Sequence, residues 1–261
     1  MEYWRTQDPK KPLFENLLWS KPEQKSLAGR VGLVGGSKGV FLAVAKAHQA
    51  ITELGPETSL VLPADLKPLL KTIPNVVFST TNPSGSLASQ ALSDLLTLQN
   101  STDSLLLIGD AGKNSETNLL YENLALKISD QTKPVIVARD AIELISGAFH
   151  HVVNQPNFTL IMSFAQAQKL FRSVYYPVML LHSMTTLRFV EALHKFTITY
   201  QPTLVIFHQN QVFIARDGQV ISGQFERASE IWQGIIQAKI ACWQTWNPQK
   251  PLEATTCAIL S

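Results

Sequence analysis

Cysteine is nearly absent from this chain of 261 residues, with Cys242 and Cys257 the only two. Two thiols so far apart exclude a disulfide framework, a Cys-x-x-Cys redox pair and a cysteine zinc site, and predict reduced side chains. Charge is scarce as well: 16% of residues are charged, the net charge is +2, and no Lys/Arg run exceeds two. That excludes nucleic acid or an anionic membrane as the main partner. Uninterrupted apolar stretches such as Leu105–Ile108 are far too short to span a bilayer. The opening Met1-Glu-Tyr-Trp-Arg-Thr-Gln-Asp-Pro-Lys10 places charge and proline where a signal peptide has its apolar core, so a cytoplasmic protein is expected. His150 and His151 are adjacent and would point apart, and His48, His182, His194 and His208 have no ligand-spaced partner; no metal site is expected. There is no Gly-x-Ser-x-Gly nucleophile elbow.

What is present is an ordinary globular interior, with 45% hydrophobic residues. A chain of this length buries roughly three-quarters of its unfolded surface and needs no cross-link to hold a core. Residues 1–28 lack strong periodicity, and Leu13, Phe14, Leu17, Leu18 and Trp19 suggest one helical turn. This stretch is expected as an N-terminal extension packed on a single α/β domain over 29–261. From Arg30 a rhythm begins. Short buried strands at Val31–Val34, Ser59–Leu62, Val76–Phe78, Ser104–Ile108 and Pro134–Ala138 alternate with helices, one over Phe41–Leu54, one started by Pro63 through Asp65–Leu70, and one through Leu98. Ser115 is expected to cap the helix after Gly109–Asn114. Such alternation predicts a mostly parallel sheet with helices on both faces.

The later half changes character. A strand at Phe158–Met162 and helices over Ser163–Phe171 and Thr185–Phe196 precede three short strands, Thr203–His208, Gln211–Ala215 and Gln219–Ser222. Asp217-Gly218 marks a tight hairpin between the last two. One long helix is expected over Glu226–Thr245, and a shorter one over Leu252–Leu260. The whole describes one mixed sheet with an antiparallel edge.

In open α/β sheets ligands sit beyond the carboxyl ends of the strands, where helix N-termini offer free N–H groups. Three loops qualify: Gly35-Gly-Ser-Lys-Gly39, Gly109-Asp-Ala-Gly-Lys-Asn114 and Arg139-Asp140. Gly35, Gly36, Gly109 and Gly112 would let the backbone approach a phosphate or sugar. Lys38 would add a charge, Ser37 and Ser115 hydroxyls, and Asp110, Asn114 and Asp140 polar contacts. The first loop has neither the spacing of Gly-x-Gly-x-x-Gly nor the ending of a P-loop. It is similar to the glycine loop of short-chain dehydrogenases, which gives a Rossmann-type alternative. That family's Tyr-x-x-x-Lys pair is missing, however, and Phe41 stands where its last loop glycine belongs.

The order of elements and several segments are closer to another family. Gly29-Arg-Val-Gly-Leu-Val-Gly-Gly-Ser37, Ser104-Leu-Leu-Leu-Ile-Gly-Asp-Ala-Gly112, Lys133-Pro-Val-Ile-Val-Ala-Arg-Asp-Ala-Ile142 and Glu230-Ile-Trp-Gln-Gly-Ile-Ile236 resemble motifs of the ribokinase-like NAD(P)H-hydrate dehydratases. The resemblance implies a three-layer α/β/α sandwich and repair of hydrated nicotinamide cofactors. It also implies ATP or ADP with Mg²⁺ as cofactor, NAD(P)H or its hydrate as ligand, and a homo-oligomer. Residue by residue, Glu230 would stand for the catalytic aspartate, the Gly109–Asn114 loop would hold phosphates, and Asp140 would orient the substrate or a Mg²⁺. Three motifs depart from the family. Its Thr-Pro-His-Pro-Gly-Glu is replaced by Met162-Ser-Phe-Ala-Gln-Ala167, its Leu-Lys-Gly strand end falls near Ile206-Phe-His208, and its Gly-Thr-Gly-Asp becomes Arg227-Ala-Ser-Glu230. A carboxylate displaced by about an ångström costs on the order of a hundredfold in rate, and losing an anion cradle costs as much again. The sequence therefore carries two readings, a divergent dehydratase or kinase and a pseudoenzyme that binds or scaffolds on the same fold.

Overall fold

The computed structural model describes residues 2–8, 11–70, 73–128 and 132–260. Among these described residues ten strands form one sheet: β1 (Trp4–Thr6), β2 (Arg30–Gly35), β3 (Glu57–Pro63), β4 (Val76–Ser79), β5 (Ser104–Gly109), β6 (Val135–Ala138), β7 (Phe158–Ser163), β8 (Thr203–His208), β9 (Gln211–Arg216) and β10 (Gln219–Gln224). Their order is β1-β10-β9-β8-β7-β6-β5-β2-β3-β4. From β4 to β8 every pairing is parallel, and β8-β9-β10 is an antiparallel meander. All six residues of β5 and all four of β6 are buried, as strands covered on both faces must be.

Alternation along β5 divides the core. Leu105 and Leu107 enter one apolar layer, and Leu106 and Ile108 the other. Ordered along the chain, the α-helices are α1 (Glu15–Leu18), α2 (Leu42–Leu54), α3 (Leu92–Ser101), α4 (Ser115–Ile128), α5 (Ala141–Leu144), α6 (Phe149–Val152), α7 (Phe164–Ser173), α8 (Thr186–Thr199), α9 (Ala228–Trp232), α10 (Ile235–Trp246) and α11 (Pro251–Leu260). Helices α3 to α8 supply the first layer, and α1, α2, α10 and α11 the second.

Four details differ from the sequence expectation, each for a local reason. The N-terminal residues Trp4–Thr6 add a strand parallel to β10, with the Trp4 indole N–H donating to Ser222 Oγ at 2.9 Å. The segment after Pro63 forms only a 3₁₀ turn, Ala64–Leu66, because Pro68 has no N–H with which to extend a helix. Helix α4 is capped by Asn114 rather than Ser115: the Asn114 Oδ1 accepts the Glu116 N–H at 2.9 Å, and Ser115 is already helical. The long C-terminal helix is broken in two at Gly234, which is left-handed at φ 79°. A Cβ there would overlap Ile108 Cδ1 and stand 3.0 Å from the Ala43 carbonyl oxygen, so this glycine lets α10 pack closely on β5 and α2.

Strands run outward in opposite directions from the β2–β5 boundary, β2 toward β3 and β4, β5 toward β6, β7 and β8. This switch point is where a crevice opens at the carboxyl ends of a doubly wound sheet. Gly36 N–H donates to the Gly109 carbonyl at 2.8 Å across it, fixing the two glycine loops side by side.

Candidate functional site

A cleft of about 960 Å³ lies at these carboxyl ends, within the range of small-molecule sites. Its charged wall is balanced, with Lys113, Arg139 and Lys169 against Asp110, Asp140 and Glu143. The remaining wall comes chiefly from the β8–β9 turn and from α9 and the start of α10.

The floor is built from two carboxylates that the protein uses for itself. Gly109 and Asp110 are both left-handed, at φ 86° and φ 56°, and the N–H groups of Asp110 and Ala111 both bond the Asp140 carboxylate. They do so at 2.8 Å to Oδ1 and 3.3 Å to Oδ2. A run of backbone N–H groups of this kind is an anion-binding concavity, and here the anion is Asp140. The Asp110 carboxylate accepts the Ala43 N–H at 3.1 Å in the first turn of α2, where a negative charge complements the helix dipole. It also pairs with Arg139 Nη2. Arg139, left-handed at φ 57°, extends its other Nη1 to the Trp232 carbonyl at the end of α9. Its guanidinium thus joins the β5 loop, the β6 end and α9. Beneath this group the Tyr121 hydroxyl is fully buried without a hydrogen-bond partner among the described residues; burial first, then the Asp140 and Asp110 charges, hold the phenol protonated far above its usual pKa.

Glu143 and Gln166 brace one side. Gln166 Nε2 donates to the Arg139 carbonyl at 2.7 Å and to both Glu143 oxygens at 2.8 and 2.9 Å. Its backbone N–H and Oε1 complete a capping box with Ser163 at the start of α7. That Ser-x-x-Gln pattern was readable in the sequence as a helix start, and its link to Arg139 was not. On the opposite side Gln237, fully buried on the first turn of α10, donates from Nε2 to the Ile231 carbonyl at 3.1 Å; its Oε1 has no partner among the described residues.

The residues expected at the site separate into two sets. Ser37, Asp110, Gly112 and Asp140 line the cleft, and Gly35, Gly36 and Gly109 form the turns directly behind it. Lys38 is exposed, its Nζ 3.8 Å from Asp65, and is not on the cleft wall. Asn114 is used as the α4 cap and donates to Ser84 Oγ at 2.9 Å; Ser115 is exposed on the first helical residue. Glu230 is also absent from the cleft wall. Its carboxylate pairs with Lys239 at 3.2 Å and Arg227 at 3.7 Å, while Ala228, Ile231 and Trp232 face the cleft from the same short helix. Arg139 as a strut, Gln166, Trp232 and Gln237 were not singled out by sequence, because each acts through a partner remote in the chain.

The family resemblance in the sequence implies a Mg²⁺ accompanying a nucleotide, and the residues here are a poor match for holding it. Among the described residues no cluster of three or more His, Cys, Asp or Glu could bind a metal, and Asp110 and Asp140 are already engaged by N–H and guanidinium donors. Both cysteines are buried thiols that form no disulfide with one another; burial pushes the Cys257 thiol up to about 11 and Cys242 higher, so neither is a thiolate nucleophile at neutral pH.

At the cleft rim His208 stacks on Phe164 at 4.2 Å, and His182 tilts against the same phenyl ring at 4.5 Å, 5.7 Å from His208. Burial, and then the neighbouring His182, lower the pKa of His208. The unfolded chain therefore binds the proton first as pH falls. The stability contributed by neutral His208 is full above the ordinary histidine value of 6.5 and is lost as pH drops toward the lower folded value. Denaturant titrations between about pH 7.5 and pH 5 are expected to show a falling stability whose slope is reduced in His208→Gln. An unchanged slope would assign the acid sensitivity to other groups.

No protein-family model matches the chain, and no curated protein does. Solved structures do. A ribokinase-like superfamily protein from Enterococcus faecalis superposes with a TM-score of 0.70 at 16% identity, covering 99% of this chain and 86% of the other. An ADP/ATP-dependent NAD(P)H-hydrate dehydratase from Bacillus subtilis, co-crystallised with ATP/Mg²⁺ and soaked with CoA, gives 0.62 at 15% identity over 94% and 83%. A phosphomethylpyrimidine kinase from Clostridium difficile gives 0.57 at 8% identity over 88% and 97%. At these identities the likeness speaks for architecture: the chain has the ribokinase-like α/β fold, a mostly parallel sheet with an antiparallel meander, flanked by helices on both faces.

Proposed function

We propose that this chain binds a nucleotide or nicotinamide dinucleotide in the cleft at the β2–β5 switch point and does not turn it over. The observation that carries this reading is the self-occupied floor: Asp140 fills the N–H cradle of the 109–112 loop, and Asp110 fills the first turn of α2. A phosphoryl or hydrated-ring transition state needs donors aimed at developing charge and waiting for it; here those donors are spent, while about 960 Å³ of cleft stays open above them. Among the described residues Lys113 and Lys169 on the wall have no carboxylate partner, which leaves two cations for ligand phosphates. The resemblance to dehydratases supports the ligand class, and the pairing of Glu230 with Lys239 and Arg227 supports the loss of chemistry.

The test is thermal denaturation of the full chain with ATP, ADP, AMP, NAD⁺ and NADPH, with and without Mg²⁺, alongside a turnover assay on hydrated NADPH. A ligand at a hundred times its dissociation constant stabilises the native state by about 2.7 kcal/mol, a rise of several degrees at this size. A rise without turnover is expected. Turnover that disappears in Glu230→Gln would overturn the non-catalytic reading, and no rise with any compound at millimolar concentration would overturn the binding one.

A further inference from the structure

Trp232 is the large apolar side chain least explained by packing at the cleft: 72% of it is exposed, yet its residue lines the cleft wall. An exposed indole at the mouth of a cavity is a platform for another flat ring. Its backbone is held from both sides. Arg139 donates to the Trp232 carbonyl, and Gln237 donates to the carbonyl of the preceding Ile231 at 3.1 Å. The turn carrying the indole is therefore anchored to the floor of the cleft and to α10. The same two anchoring side chains have unused polar atoms, since Gln237 Oε1 and Arg139 Nε are buried without partners among the described residues. Because Gln237 Nε2 faces a carbonyl, its other atom is an acceptor, and it calls for an N–H donor.

Building on the binding reading above, we propose that Trp232 stacks on a planar nitrogen heterocycle of the ligand and that Gln237 Oε1 accepts a hydrogen bond from that ring's amino or amide N–H. The ligand class is thereby narrowed to nucleotides whose base or pyridine carries such a donor.

The experiment titrates the full chain with AMP and nicotinamide mononucleotide by calorimetry and intrinsic fluorescence. Purine riboside 5′-monophosphate, without the amine, and ribose 5-phosphate, without the ring, serve as comparators. AMP or nicotinamide mononucleotide is expected to quench tryptophan emission, and Trp232→Phe to remove most of that quenching. Trp232→Leu should weaken binding by roughly tenfold or more, the worth of one base stacked on an aromatic side chain. Trp19→Phe, at an exposed position away from the cleft wall, should leave affinity unchanged. The amine-free analogue should bind more weakly than AMP to the natural chain and equally to Gln237→Leu; if that variant does not fold, the AMP-to-analogue comparison on the natural chain decides the point alone. Nucleotide binding that is indifferent to Trp232→Leu, or ribose 5-phosphate binding as tightly as AMP, overturns the stacking assignment and leaves the binding reading standing. Equal binding of AMP and its amine-free analogue overturns the role of Gln237. Failure of every nucleotide to bind removes the binding reading itself, and this inference with it.

Discussion

Gly109→Ala is expected to destabilise the fold by about 3 kcal/mol or more, placing it among the most damaging single-methyl additions in the molecule. Two costs combine. The residue sits at φ 86°, where a Cβ strains the backbone, at a typical cost of about 1–3 kcal/mol. That Cβ would also overlap Asp140 Oδ1 and stand 2.8 Å from its Cγ, and overpacking of this kind costs about 1–3 kcal/mol. Asp140 cannot step aside freely, because doing so abandons the N–H groups of Asp110 and Ala111. Asp140→Ala alone leaves those two donors unsatisfied, at about 1–3 kcal/mol. The paired variant relieves the overlap, so its cost should fall below the sum of the singles. Denaturant melts of the four proteins form the cycle. Strict additivity would mean that Gly109 and Asp140 do not meet, and that the filled cradle has been misread.

Arg139→Met is the second large effect. The Asp110 side chain is only 6% exposed and that of Arg139 16%, so removing the guanidinium leaves a buried carboxylate with the Ala43 N–H as its remaining hydrogen bond. Breaking a buried pair from one end typically costs about 3–5 kcal/mol, far more than the net worth of the intact pair. Asp110→Asn in the same chain should recover much of that loss, since no charge is then stranded. A structural consequence separates this strut from an ordinary ion pair. The Trp232 carbonyl loses its donor, so amide hydrogen exchange over Ala228–Trp232 should quicken in Arg139→Met even where global stability is restored by the second change. Arg139→Lys should behave like a partial loss, because one ammonium on a flexible stem does not replace a planar fork reaching two partners in different directions. Unaltered exchange in α9 would show that the arginine does not anchor that helix.

Most of the sheet was legible in the sequence because short apolar runs bounded by turn residues repeat with a period that only a covered parallel sheet accommodates. Val31–Val34, Ser104–Ile108, Thr203–His208 and the Asp217-Gly218 hairpin are all found where those signals stand. What escaped was decided by groups distant in sequence. Trp4–Thr6 has no alternation of its own and becomes a strand only because β10 offers an unpaired edge. Gly234 sits inside an apolar-periodic stretch, and the signal to end a helix there comes from Ile108 and Ala43 pressing on its α-carbon. The site was half legible. Glycine after a buried strand pointed to the carboxyl ends of β2 and β5, where a cleft lies. That the loop's own donors are satisfied by Asp140, 30 residues from Asp110, and that Glu230 pairs with Lys239 rather than facing the cleft, are matters of side-chain direction that spacing does not encode.

The outermost strand imposes an order of events on the growing polypeptide. Trp4 finds Ser222 only across a separation of 218 residues, so β1, made before every other strand of the sheet, is among the last to be seated. Until β10 is made, the amino-terminal stretch has no docking place; until that stretch arrives, β10 presents an open hydrogen-bonding edge to any other chain nearby. The three-residue strand is too small to add much to stability, and its larger effect is to close that edge. Deleting residues 2–7 should leave the cleft intact while making the fold prone to edge-to-edge association through β10, most acutely at the high local concentrations of a polysome.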